Sequence, residues 1–136
     1  MAAKRIAALI RTEASQAAHL ERLLSLEWLG VDELVLLAPD LGEGTAWTGI
    51  RRLARALRLP LAVGGAPLDL DGIALLLEAG ADRVFLDLPR DGALLEPAAA
   101  RYGRAVLGVR SAVPGLETLR EGCERGAGEI LLEPGP

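Results

Sequence analysis

Short continuous apolar runs alternate along this chain with stretches of helical periodicity, and glycine, proline and aspartate separate them. The apolar runs fall at 5–11 (RIAALIR), 33–38 (ELVLLA), 60–63 (PLAV), 83–88 (RVFLDL), 104–110 (RAVLGVR) and 128–132 (GEILL). Such runs suit parallel strands buried on both faces. Between them the spacing of apolar residues predicts helices over about 15–29, 46–58, 69–79, 93–102 and 114–125. Leu20, Leu23, Leu24 and Trp28 stripe the first helix, and Gly30 stops it; Ile50, Leu53, Ala54 and Leu57 stripe the second. Asp69 is a candidate N-cap of the third helix and Gly80 its C-terminal stop. Pro97 must lie in the first turn of the fourth helix or bend it. Strand–helix alternation with short loops implies a parallel sheet with right-handed crossovers.

Three stretches, LEWLGVDELVLL, LLEAGADRVFLD and CERGAGEILLEP, share one plan of helix end, glycine, polar residue and strand. They mark an internal βα repeat of about 20 residues in its tighter copies. No linker or low-complexity segment interrupts it, so 1–136 is expected to form a single domain.

Alternation along the strands separates two faces. One is aliphatic: Ile6, Ala8, Ile10, Leu34, Leu36, Val84, Leu86, Leu107, Val109, Ile130 and Leu132. That face suits helix packing. On the other, charges flank apolar centres, as the inside of a barrel allows. Its lower layer holds Arg5, Glu33, Arg83, Arg104 and Glu129, of mixed sign and able to pair internally. Its upper layer holds Arg11, Asp87, Arg110 and Glu133, at the strand ends where α/β folds place ligands. A salt-bridge network closing the top of the core is the structural alternative for that layer.

Composition narrows the function classes. Hydrophobic residues are 51% of the 136, enough for one core and against disorder, and aromatics only 3%, so aliphatic residues fill it. A net charge of −4 with dispersed basic residues argues against nucleic acid. The lone Cys123 excludes an internal disulfide and a cysteine-rich metal site, and no cofactor motif is present. The apolar stretch after Lys4-Arg5 is too short for a signal peptide or a membrane span, which makes the cytoplasm the expected location. Gly42-Glu43-Gly44-Thr45 lacks the rest of a phosphate-loop signature and reads as a turn with Thr45 capping the next helix. Asp69-Leu70-Asp71 has metal-motif spacing but reads as a helix start, and the lone His19 as a solvated helix position.

Ala3-Lys4-Arg5-Ile6, GVDELVLL (30–37), the long stretch 50–87 and ERGAGEILL (124–132) keep one order, and over about half the chain they resemble the cyclase subunit of imidazole glycerol phosphate synthase. The resemblance implies a (βα)8 barrel of histidine biosynthesis, with a carboxylate as acid or base at the end of the first strand and another at the end of the fifth. Here those positions read Arg11 and Arg110. A guanidinium stays protonated and cannot shuttle protons near neutral pH. The family's long loop after the first strand is not evident, and neither are the last two units with their phosphate site. Gly64-Gly65 remains of the first phosphate site, but Asp87 and Leu88 replace the polar residues expected after the fourth strand. Arg5, Glu33, Arg83 and Glu129 match the family's charged ring at the lower barrel mouth, which the resemblance assigns to ammonia entry from a glutaminase partner. A structural ring is the simpler expectation here.

The expected fold is a partial or rearranged TIM-barrel-like repeat, with a flavodoxin-like open sheet as the alternative. Six strands cannot close the standard eight-stranded barrel. The chain is therefore expected to pair its open edges in a homo-oligomer, to rearrange, or to close as a smaller barrel. Three functions remain open. The first is a non-catalytic scaffold binding a small anionic or phosphorylated metabolite through Arg11, Gly64, Gly65 and Arg110. The second is an enzyme, of the family's lyase or cyclase type or of altered chemistry, using Asp87 or Glu133 as base. The third is a shortened or engineered barrel without a native ligand.

Overall fold

The two faces expected from strand alternation are the two layers of the folded chain. The computed structural model describes residues 6–11, 30–88, 90–111 and 129–132. Its strands are β1 (Ala7–Arg11), β2 (Glu33–Leu37), β3 (Leu61–Gly64), β4 (Arg83–Leu88), β5 (Leu107–Ser111) and β6 (Glu129–Leu132). Its helices are α1 (Gly44–Ala56), α2 (Leu70–Ala79) and α3 (Gly92–Tyr102). All strands pair in parallel, in the order β1-β2-β3-β4-β5-β6. A flavodoxin-like sheet runs 2-1-3-4-5 with helices on both faces. Here the order never reverses, and Ile50 and Leu53 of α1, Ile73 and Leu76 of α2, and Leu95 and Ala98 of α3 all join one core. Leu34, Leu36, Val63, Val84, Leu86, Leu107 and Val109 supply the sheet side of that core. The described helices thus cover a single face, as in a (βα) barrel. The opposite face carries its own buried cluster of Val35, Leu37, Ala62 and Phe85.

Phe85 fills that second layer because its neighbours give way. β4 pairs Phe85 with Gly108 of β5, and on the other side β3 carries Gly64. A Cβ on Gly108 would lie 2.4 Å from Phe85 Cε1, and one on Gly64 2.8 Å from Phe85 Cβ. One large side chain flanked by two absent ones is how a barrel interior is filled at crystal-like density.

The sequence repeat has an atomic counterpart at the strand entrances. Asp32 Oδ2 accepts from Ile6 N at 2.8 Å, while Asp32 N donates to Ile6 O at 2.7 Å. Asp82 does the same with Leu61, at 2.8 and 2.7 Å. In both copies the aspartate follows a left-handed glycine by two residues, Gly30 (φ 77°) or Gly80 (φ 118°), and clasps the start of the preceding strand. Gly80 also closes α2 as a Schellman turn, with Gly80 N donating to Leu77 O and Ala81 N to Leu76 O, both at 3.1 Å. At the other end of α2, Asp69 caps the helix as expected, accepting from Gly72 N at 2.7 Å.

Several expectations need correction. The fifth strand begins at Leu107, because Gly103 (φ 90°) redirects the chain into a 3₁₀ turn, Arg104–Val106, which Leu107 N closes on Arg104 O. Arg104 is therefore an exposed turn residue rather than a member of the inner layer. Helix α1 begins at Gly44, so Thr45 lies inside it; Glu43 holds the N-cap position without a side-chain bond. Pro97 lies beyond the first turn of α3, which starts at Gly92. It removes the donor that would meet the carbonyl of Ala93, an exposed residue whose carbonyl water can serve. The helices expected over 15–29 and 114–125, and with them Arg5, His19, Cys123 and Glu133, lie outside the described residues. Among the described residues no helix is long and apolar enough to cross a membrane.

Candidate functional site

The C-terminal ends of β4 and β5 lie side by side, and their register sets Asp87 opposite Arg110. Arg110 Nε donates to Asp87 Oδ1 at 2.8 Å, and Nη2 to Oδ2 at 2.9 Å. This is a two-pronged guanidinium–carboxylate pair, the geometry that makes such bonds strong. Both side chains are 16% exposed. A second guanidinium reaches the same carboxylate, with Arg90 Nη2 3.3 Å from Asp87 Oδ2.

The turn after β4 builds the remainder of this rim. Asp91 N donates to Asp87 O at 2.7 Å, and Asp91 Oδ2 accepts from Asp87 N at 2.9 Å. The Asp91 carboxylate, 8% exposed, also takes Arg90 Nε on Oδ1 at 3.1 Å and Nη2 on Oδ2 at 2.9 Å. The Asp91 hydrogen bond and the nearby negative charge of Asp91 and Asp87 push the Arg90 pKa up, against the opposing effect of burial. The guanidinium is a fixed cation at any working pH. Arg110, Asp87, Arg90 and Asp91 thus form one chain of alternating charge with zero formal sum.

The other sequence-selected residues sit elsewhere. Arg11 is exposed at the end of β1 and has interactions of its own. Gly64 is buried, and its carbonyl accepts from Ala38 N at 2.8 Å. Gly65, half-buried, has φ 101°, and a Cβ there would lie 3.0 Å from Ala38 N. Packing and backbone conformation therefore account for both glycines without a bound phosphate. At the lower layer Arg83 Nη1 stands 3.7 Å from Glu33 Oε1, and Arg83 Nε donates to Ala105 O at 3.2 Å. Glu129 is placed by its backbone, opposite Gly108; Arg5 and Glu133 fall outside the described residues.

A groove of about 380 Å³ lies between the starts of α1 and α2, lined by Gly42, Trp47, Leu68, Asp71 and Leu75 among others. The buried indole Nε1 of Trp47 has no hydrogen-bond partner. Gly42, Asp69 and Asp71, read from the sequence as turn and helix-start residues, line it, whereas Arg11, Gly64, Gly65, Asp87 and Arg110 do not. Among the described residues no group of three potential metal ligands occurs.

Sequence reasoning missed Arg90 and Asp91. Their signal was available in the spacing Asp87-Leu88-Pro89-Arg90-Asp91, where opposite charges stand three residues apart just past a strand. Chemically, the rim offers neutralised carboxylates and firmly held guanidinium groups. That arrangement suits holding an anion better than moving a proton.

No family model matches the chain. Curated relatives do: the imidazole glycerol phosphate synthase subunit HisF of Hyphomonas neptunium is 35% identical over 76% of this chain and 51% of its own length. That of Salinispora tropica is 32% identical over 82% and 56%, and that of Synechococcus sp. 33% identical over 78% and 41%. The chain spans about half the length of these relatives. Among solved structures, a dihydrodipicolinate synthase family protein from Coccidioides immitis superposes with a TM-score of 0.74 at 16% identity. The match covers 94% of this chain and 43% of that one, and at such low identity it speaks for the fold alone.

Proposed function

We propose, starting from the fact that this chain is a divergent relative of the cyclase subunit of imidazole glycerol phosphate synthase, that it is a (βα)-barrel scaffold which binds a small anionic or phosphorylated metabolite at the C-terminal rim and lacks cyclase activity. The observation that carries this reading is the Arg110–Asp87 pair. Where the resemblance calls for a catalytic carboxylate there is a guanidinium, and it holds the nearest rim carboxylate by both oxygens. Arg11, exposed at the end of β1, adds a further cation to the same end of the sheet.

Inorganic phosphate or citrate at tenfold over its Kd is expected to raise the melting midpoint by about 4 °C in low salt. The shift should fade as sodium chloride shortens the Debye length, and Arg11→Ala should reduce it. No shift with any phosphate or carboxylate tested removes the binding half of the proposal.

The same reading includes self-association. Among the described residues β1 and β6 each pair on one side only, and Ile6 (56%) and Leu9 (43%) are exposed at the β1 end. Open parallel edges invite a partner, here a second copy. Light scattering behind a sizing column should give at least twice the monomer mass; a monomer at all concentrations refutes edge pairing.

A further inference from the structure

We infer that Arg90, rather than Arg110, is the residue that meets the anion, and that Asp91 positions it; this rests on the anion-binding reading above. The two arginines differ in what they have left to offer. Arg110 spends Nε and Nη2 on the two oxygens of Asp87 and is 16% exposed. Arg90 spends Nε and Nη2 on Asp91, with Nη2 also near Asp87, and is 43% exposed. Its Nη1 makes no hydrogen bond among the described residues.

An ordinary surface arginine loses rotamer freedom when it grips a ligand. Arg90 has lost much of that freedom already. Asp91 holds it by two bonds, and Asp91 is itself held: it is 8% exposed, its Oδ2 takes Asp87 N, and its own N–H closes the turn on Asp87 O. The guanidinium is planar, so fixing Nε and Nη2 also fixes the direction of the Nη1 donors. An ordered, half-exposed pair of N–H donors at the rim suits an oxoanion, a phosphate monoester or a carboxylate. Zero formal charge in the cluster makes the site selective by geometry more than by field.

Isothermal titration of the full chain with inorganic phosphate tests this, with Arg90→Lys, Arg90→Gln and Asp91→Asn beside the unmodified protein. Arg90→Lys keeps the charge and loses the fork; affinity should fall about tenfold, the worth of one charge-assisted hydrogen bond. Arg90→Gln should fall at least as far. Asp91→Asn keeps an acceptor for Asp87 N and deletes a negative charge. If charge alone mattered, phosphate would bind this variant more tightly; with Asp91 as the positioning residue it binds less tightly, by about threefold. Unchanged affinity in Arg90→Lys or Arg90→Gln overturns the assignment of Arg90 while leaving an anion site at the rim. Tighter or unchanged binding by Asp91→Asn overturns the positioning role. No binding by the unmodified protein overturns the rim site and Arg90 together.

Discussion

Replacing Phe85 with alanine is expected to cost about 3–5 kcal/mol of stability, a large share of the margin of a domain this size. Phe85 is 2% exposed and is the one ring in the inner cluster with Val35, Leu37 and Ala62. Its loss leaves a void that three smaller side chains cannot fill. The flanking glycines make the prediction sharper. Gly108→Ala sets a Cβ 2.4 Å from Cε1 and 2.6 Å from Cδ1 of the ring, and should cost about 1–3 kcal/mol as overpacking. Gly108 does not have a positive φ, so alanine fits its backbone. With Phe85 already alanine, Gly108→Ala should cost nothing, or stabilise by about 0.5 kcal/mol by stiffening the unfolded chain.

Gly64→Ala is the control. Its clash is with Phe85 Cβ at 2.8 Å and the Phe85 carbonyl at 3.1 Å, atoms that alanine at 85 retains. Its cost should persist in both backgrounds. Urea midpoints of the single and double variants measure all of this. If Gly108→Ala costs the same with and without the ring, Phe85 does not fill the inner layer as described.

Much of this architecture could be read from side-chain parity. On β2 to β5 the aliphatic face is the helix-covered core and the other face carries the inner cluster, because a strand's period of two leaves no other choice once one face is buried, while on β1 Ile6 and Leu9 stay exposed. Capping chemistry was equally legible at α2, where Asp69 and Gly80 act locally. Arg104 shows where parity stops. The run RAVLGVR reads as one strand, but Gly103 sends its first three residues into a 3₁₀ turn. A glycine's φ is set by its surroundings and leaves no trace in the apolar pattern. The match of Phe85 to Gly64 and Gly108 was hidden for another reason: it depends on register between three strands distant in sequence. For the rim, Arg110 and Asp87 were visible as strand-end charges, while Arg90 and Asp91 sit in a turn whose conformation places them.

The second large effect concerns catalysis. General acid–base groups contribute about 10²–10⁴ each to rate, so the proposed scaffold, with arginine at both positions where the resemblance expects a carboxylate, is expected to lose most of the acceleration. Asp87 does not replace them as it stands. Both its oxygens accept from Arg110, and Arg90 lies 3.3 Å from one of them. A base must bring a lone pair to the substrate's proton, and here that means breaking a two-pronged ion pair in a half-buried place. Turnover of the family's cyclase substrate with free ammonium is therefore expected to match the uncatalysed rate, in the same preparation used for the phosphate titration.

The most direct measurement is that turnover assay, run on the unmodified protein with Asp87→Asn and Glu133→Gln alongside. All three should be indistinguishable from buffer. Product formed by the unmodified protein and abolished by either substitution would contradict the scaffold reading and identify that carboxylate as a working base.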